Sequence, residues 1–297
     1  RSRRQRQMCI RDSNQDWSEI DLEAVSADFI PATAYQPDRK ARPDYDRAYT
    51  QWEFQDGGTN SSVNFYRLAW RLMAATTGFR TLYPALLPTG AAHTNGVMSA
   101  GSESNERVLL AGASASCILI DFMLRATGKA NIVASDFESL AIADGVHNDE
   151  LVSRYLRLNC LTEAYAPLWE ELMGEAWGVD TPLRKDEERR AAQVEIDAIV
   201  ALSLGVTADE LCMIYRTQFP VMRRYDQEDR FDANGRKVPK EIVKADAKLK
   251  DGAQLSEAER TWTHPQSGVE YVYEYPFRQL DREADMREAY ARFEGMV

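Results

Sequence analysis

Carboxylates are missing from one long stretch of an otherwise acidic chain. Between Asp56 and Glu103 there is no Asp or Glu, while Arg67, Arg71 and Arg80 stand among Thr, Ser, Asn, His and aromatic residues. The whole chain carries a formal charge of -11. Phosphate repulsion penalises any acid on a surface that meets a polyanion, so a carboxylate-free segment suits nucleic-acid contact. A neutral core segment that happens to lack acids is the competing explanation.

Other absences narrow the class. No apolar run approaches the ~18 residues that a membrane span needs. There is no glycine-rich phosphate loop, no G-x-S-x-G elbow and no H-E-x-x-H. Pro43-Asp44 with Glu53-Phe54-Gln55 falls short of a nuclease carboxylate core, because the spacing is short and no lysine follows. Nor is there an Asn-Pro-Pro-aromatic or Asp-Pro-Pro-aromatic tetrapeptide, with which an amino-methyltransferase holds its extruded base. No catalytic residue is therefore assigned.

Cysteine and histidine are scarce. Cys117, Cys160 and Cys212 are widely spaced within apolar helical patterns. They read as buried thiols of a reducing compartment, which implies a cytoplasmic protein, not a zinc site or a disulfide framework. His93, His147 and His264 are isolated from one another, so no metal is expected.

What is present divides into four parts. Met8-Cys9-Ile10-Arg11-Asp12-Ser13 reads as translated sequencing adapter, and residues 1–13 as an assembly scar ahead of an N-terminally truncated fragment. Its five arginines and one aspartate mask part of the acidity of the remainder. Residues 14–56, with Pro31, Pro37 and Pro43, read as an extended connector. Residues 57–147 mix helix and strand signals, and 148–297 turn to amphipathic helices. The expected fold class is α+β: a mixed α/β domain, then a mainly helical subdomain with a small antiparallel hairpin.

Local signals fill in the elements. Asn60 or Ser61 would cap a helix running to Ala75, with Phe65, Leu68 and Leu72 on its core face and Asn60, Asn64, Arg67 and Arg71 on a polar stripe. Thr81–Leu87 is an edge-strand candidate bent by Pro84, and Arg107–Leu110 begins another strand. Ala113–Ala126 is an apolar helix stopped at Gly128, and Asn131–Val133 a short strand. Ser135 with Glu138 and Thr207 with Glu210 form capping boxes. Helical spacing recurs over 149–160, 163–177 and 184–203. Asn234-Gly235 is a hairpin signal, Lys240–Glu259 a charged, mobile insert, and Val269–Tyr275 an alternating strand with an aromatic face. Asp281–Phe293 closes the chain as a helix.

The run Arg67-Leu68-Ala69-Trp70-Arg71, followed by Thr76 through Arg80-Thr81-Leu82 to Pro88, resembles the start of the target-recognition domain of Eco57I-like adenine-specific DNA methyltransferases. These are large fused restriction-modification and phage-defence enzymes. Their S-x-x-x-x-D-F-x-x-R helix is matched by Ser116, Asp121-Phe122 and Arg125, and the following turn and strand by Thr127-Gly128-Lys129-Ala130-Asn131-Ile132. Ile214–Val221, Tyr225 with Asp232–Arg236, and Pro276-Phe277 with Asp281–Asp285 resemble the tail of the same proteins. Where many relatives carry Asn-Ser in the central helix, this chain has Ala113-Ser114-Ala115-Ser116, so no contact from that Asn is carried over.

The resemblance implies a duplex-DNA recognition module without its reaction centre. An upstream methyltransferase domain of the same chain would bind S-adenosylmethionine and flip adenine, and no cofactor would bind this fragment itself. The candidate DNA-binding residues are Asn64, Arg67, Arg71, Arg80, Thr81, His93, Asn95, Arg125, Lys129 and Asn131. Several have a plainer explanation. Arg67 and Arg71 fit a solvated face or pairing with acids elsewhere, and Arg80 fits a brace to Asp44 or Asp46. His93 and Asn95 fit ordinary turn chemistry. Tyr271, Tyr273 and Tyr275 fit a core face, and the arginines of 216–236 fit a salt-linked helix and hairpin. The alternative function is a helical protein-interaction platform in a larger defence complex.

Overall fold

The computed structural model describes residues 20–29, 42–53, 57–250 and 252–296. The adapter-like leader and much of the connector lie outside these residues. Helix α1 (Arg42–Ala48) precedes a small hairpin of β1 (Gln51–Glu53) and β2 (Thr59–Ser61). Strand β3 (Arg67–Arg71) is the centre of an antiparallel three-stranded sheet, flanked by β4 (Ala85–Leu87) and β5 (Val97–Ala100). Then come α2 (Asn105–Ala115), α3 (Ile118–Thr127), the short α4 (Ala134–Glu138), α5 (Asn148–Asn159) and α6 (Ala166–Met173). Helices α7 (Asp186–Ser203), α8 (Ala208–Gln218), α9 (Pro220–Glu228) and α10 (Lys240–Asp246) follow. Strands β6 (Thr261–Thr263) and β7 (Glu270–Val272) pair antiparallel, and α11 (Arg282–Glu294) ends the fold. The fold is α+β, helices with small antiparallel sheets, as the sequence implied.

The expected helix over 60–75 is replaced by β2, a single 3-10 turn and β3. Phe65, Leu68 and Leu72 do match a helical period, but Tyr66, Leu68 and Trp70 match a period of two equally well. Tertiary packing decides. Leu68 and Trp70 enter the main core, and Trp70 stacks on Phe137 at 4.2 Å between ring centroids. Its indole N–H donates to the Ile132 carbonyl at 2.9 Å. Arg67, Ala69 and Arg71 occupy the opposite face, across from Leu87, Ala85, Ser99 and Val97.

Two more expectations change. Arg107–Leu110 is helical, not extended, because Ser104 caps α2 by accepting the Arg107 amide. The single helix over 113–126 is broken, and α2 and α3 meet at 70°. Cys117 caps the second of them through its thiol, and the Asp197 carboxylate accepts the Ile118 amide at 2.8 Å. Gly112 permits the close crossing of α2 and α5, because a Cβ there would lie 2.4 Å from the Tyr155 ring.

Among the later elements the helix caps follow their signals, while the expected strand over 269–275 shortens to β7. Thr207 and Glu210 complete the expected capping box on α8, and Asp281 caps α11. The Asn234-Gly235 turn is formed, with Gly235 at φ +80°. At α4 the brace is Asp136, whose carboxylate accepts the Val133 amide at 3.0 Å, not the Ser135–Glu138 pair. Most of the charged insert is ordered: α10 sets Ile242 into a small second core with Val238, Leu255 and Tyr273.

One main core runs from Tyr66 to Phe293 and includes Trp70, Tyr155, Trp169, Phe219 and Met286. It continues unbroken across residues 147 and 148. Residues 20–29 are stapled onto the C-terminal part. Asp21 accepts from Ser267 and Tyr271, Glu23 pairs with Arg236 at 2.7 Å, and Arg184 donates to the Leu22 carbonyl at 2.7 Å. Among the described residues, no single helix is long and apolar enough to cross a membrane.

Candidate nucleic-acid interface

The ten residues singled out by sequence separate into scaffold and surface. Arg67 is fully buried on β3 beneath the 88–96 loop. Its Nη2 donates to the Ala91 carbonyl, while Nε and Nη1 have no hydrogen-bond partner. The 88–96 loop covers this part of the β3 face, and that is why this arginine, unlike Arg71 on the same face, is not at the surface.

Arg80, Thr81 and Arg125 form a second buried group, organised by Asp121, which is inaccessible to solvent. Arg80 Nε donates to Asp121 Oδ2 at 2.8 Å, and its Nη2 donates to the Ser116 carbonyl at 2.7 Å. The amides of Thr81 and Leu82 donate to the same carboxylate. Arg125 lies 3.6 Å from Asp121 Oδ1, donates to the Gln218 carbonyl at 2.7 Å and stacks over the Phe219 ring. These three residues therefore hold the 78–82 segment and α8 onto α3. Of the two partners weighed for Arg80, Asp44 pairs with Arg47 instead, and the Asp46 side chain lies outside the described residues. Asp121 was part of the sequence pattern, and its four-residue spacing to Arg125 was the available signal for its role as a hub.

His93 is half-buried and turned inward. Its Nε2 lies 2.8 Å from Ser99 Oγ, its backbone amide donates to the Tyr49 hydroxyl, and its ring meets Tyr49 edge-on. Burial lowers its pKa, and nearby Arg67 adds to the effect against the hydrogen bond to Thr94, so the ring is neutral at pH 7. Asn64 is exposed in the 3-10 turn ahead of β3, where its side chain donates to Asn60.

The remaining four residues converge at the other end of β3. Arg71 pairs in register with Val97, and the Leu72 amide donates to the Gly96 carbonyl at 3.1 Å, beside exposed Asn95. On the far side, Met73 bridges Asn131, the Ala74 amide donates to the Ala130 carbonyl, and the Ile132 amide donates to the Leu72 carbonyl. Arg71, Asn95 and Asn131 are exposed, and so is Lys129, which pairs with Asp136. That ion pair, with the Val133 amide, lowers the Asp136 pKa. The Arg71 side chain makes no ion pair or hydrogen bond among the described residues. Met73, 66% exposed, sits among these polar groups. The edge thus offers a free guanidinium, an ammonium, two amides and an apolar tip, with Asp136 the nearby acid.

Among the described residues, the free cysteines Cys117, Cys160 and Cys212 are buried, and burial pushes the Cys160 thiol up to about 12. They are poor nucleophiles. Comparison with family models, with curated proteins and with solved structures finds no match to this chain.

Proposed function

We propose that this chain is the target-recognition and C-terminal portion of an adenine-specific DNA methyltransferase of a restriction-modification or phage-defence system. It contacts duplex DNA through the open end of β3, and S-adenosylmethionine binds an upstream domain of the same protein. The observation that carries this reading is the convergence of Arg71, Asn95, Lys129 and Asn131 from three chain segments onto one exposed edge. Their residue types suit the task. Arginine and lysine neutralise phosphate or read guanine, and asparagine reads adenine. The ordered likeness to Eco57I-like enzymes across residues 50–297 supports the same assignment. Arg67, Arg80, Thr81 and Arg125 support it as scaffold, and His93 supports the loop, so none of these five touches DNA in this reading.

Titration of a labelled duplex with the full chain, at low and moderate salt, tests the proposal. Salt-sensitive binding that weakens in Arg71→Gln is expected. No binding at low salt, even beside the catalytic domain, would sink it.

A second reading, an interaction platform without DNA contact, is favoured by the burial of Arg80 and Arg125 against Asp121, which makes much of the carboxylate-free segment core. Binding indifferent to salt would favour the platform.

A further inference from the structure

The carboxylate-free segment does not end in isolation. Phe79, within it, packs on Tyr225 of α9 at 5.9 Å between ring centroids. Two cations lie over the same tyrosine: Arg224 at 5.4 Å and Lys240 Nζ at 5.1 Å from the ring centroid. Lys240 opens α10, and Lys244 follows one turn later on the same side. Ile242 anchors that helix in the second core and fixes the direction in which the lysines point. Arg224, Lys240 and Lys244 are all exposed, and Lys248 and Lys250 extend the basic character past the helix. The acids alongside are mostly engaged: Glu228 pairs with Lys240 at 3.5 Å, Asp226 with Arg282, Asp229 with Lys237, and Asp246 accepts from the Tyr275 hydroxyl, while Glu241 is exposed.

We infer that Arg224, Lys240 and Lys244, set around Tyr225, form a second DNA contact that tracks backbone phosphates flanking the site read at the β3 edge. This rests on the DNA reading above and extends it from base recognition to the flank of the duplex. Charge is what selects the occupant. A chain of net charge -11 gains solubility from acids, yet here it presents exposed cations around a half-exposed aromatic ring, contiguous with its carboxylate-free segment. Tyr225 holds Arg224 and Lys240 against its ring, and phosphate would compete with Glu228 for Lys240. Contacts of this kind are independent of sequence and scale with salt.

The test is fluorescence anisotropy of the full chain on a labelled duplex across a salt series. Each lost phosphate contact flattens the log–log salt dependence by about 0.9. Arg224→Gln with Lys240→Gln and Lys244→Gln is therefore expected to reduce the slope by about 2–3 and weaken binding at low salt at least about tenfold. The loss should be equal on any duplex sequence. A triple variant with wild-type slope and affinity, while Arg71→Gln still weakens binding, overturns the flank contact and leaves the DNA reading standing. A wild-type chain that ignores duplex DNA overturns both. Unchanged circular dichroism and melting temperature of the triple variant exclude misfolding, and all three positions are exposed.

Discussion

Asp121 neutralises Arg80 from inside the fold, with Nε 2.8 Å from Oδ2, and the same carboxylate lies within 3.6 Å of Arg125. Removing it would leave two largely buried guanidinium groups uncompensated. Asp121→Ala should therefore lower unfolding free energy by about 3–5 kcal/mol, measured by urea titration. A loss below about 1 kcal/mol would show that the backbone carbonyls alone suffice for these arginines.

Arg67 behaves in the opposite way. It is buried with a single carbonyl partner and no ion pair among the described residues. Replacing a poorly compensated buried charge by an apolar side chain of similar length is often neutral or stabilising. Arg67→Met is expected to hold or raise the urea midpoint, whereas Arg71→Ala, at the exposed end of the same strand, should shift stability by less than about 0.5 kcal/mol. A large loss in Arg67→Met would mean that the guanidinium contributes more than its one hydrogen bond.

Gly112 and Tyr155 define a contact without slack. A methyl group at 112 meets the ring at 2.4 Å, within a fully buried crossing of α2 and α5. Gly112→Ala should cost about 1–3 kcal/mol through overpacking. Combining it with Tyr155→Leu should restore part of that loss, in a double-mutant cycle read by thermal melting. Additive losses would show that the strain is relieved elsewhere.

Asp226 adds to the acid sensitivity of the fold. Burial opposes its ionisation, but attraction to Arg282 and hydrogen bonds from Arg282 and Tyr215 outweigh this and hold its pKa below 3.8. Folding therefore favours the carboxylate. Its contribution is whole above the unfolded value near 3.8 and is lost as pH falls through the lower folded value. Asp226→Asn should reduce stability at pH 7 and flatten the acid limb of the stability–pH curve. An unchanged acid limb would assign acid unfolding to other carboxylates.

Helices with local punctuation were legible in the sequence. Thr207, Glu210, Asp281 and the Asn234-Gly235 turn act within a few residues, so their spacing suffices. Strand β3 was not legible as a strand, because Phe65, Leu68 and Leu72 satisfy a helical period by coincidence. The deciding contacts, Trp70 on Phe137 and pairing to β4 and β5, lie 16 to 67 positions away. The site was half legible for a related reason. An absence of acids along the chain marks a segment but not its outward side, and Arg80 finds its acid 41 positions away. Only Arg71, Asn95, Lys129 and Asn131 survive as a surface constellation, with Asn64 exposed but apart.

The unbroken core across residues 147 and 148 has an evolutionary corollary. Where recognition sits on a detachable domain, new preferences arise by shuffling whole modules. In the DNA reading proposed above, β3 shares its interior with α11, so grafting a foreign half would tear a packed interior open. New preferences are more easily reached by point changes at the strand ends and loop tips, over an interior that stays the same.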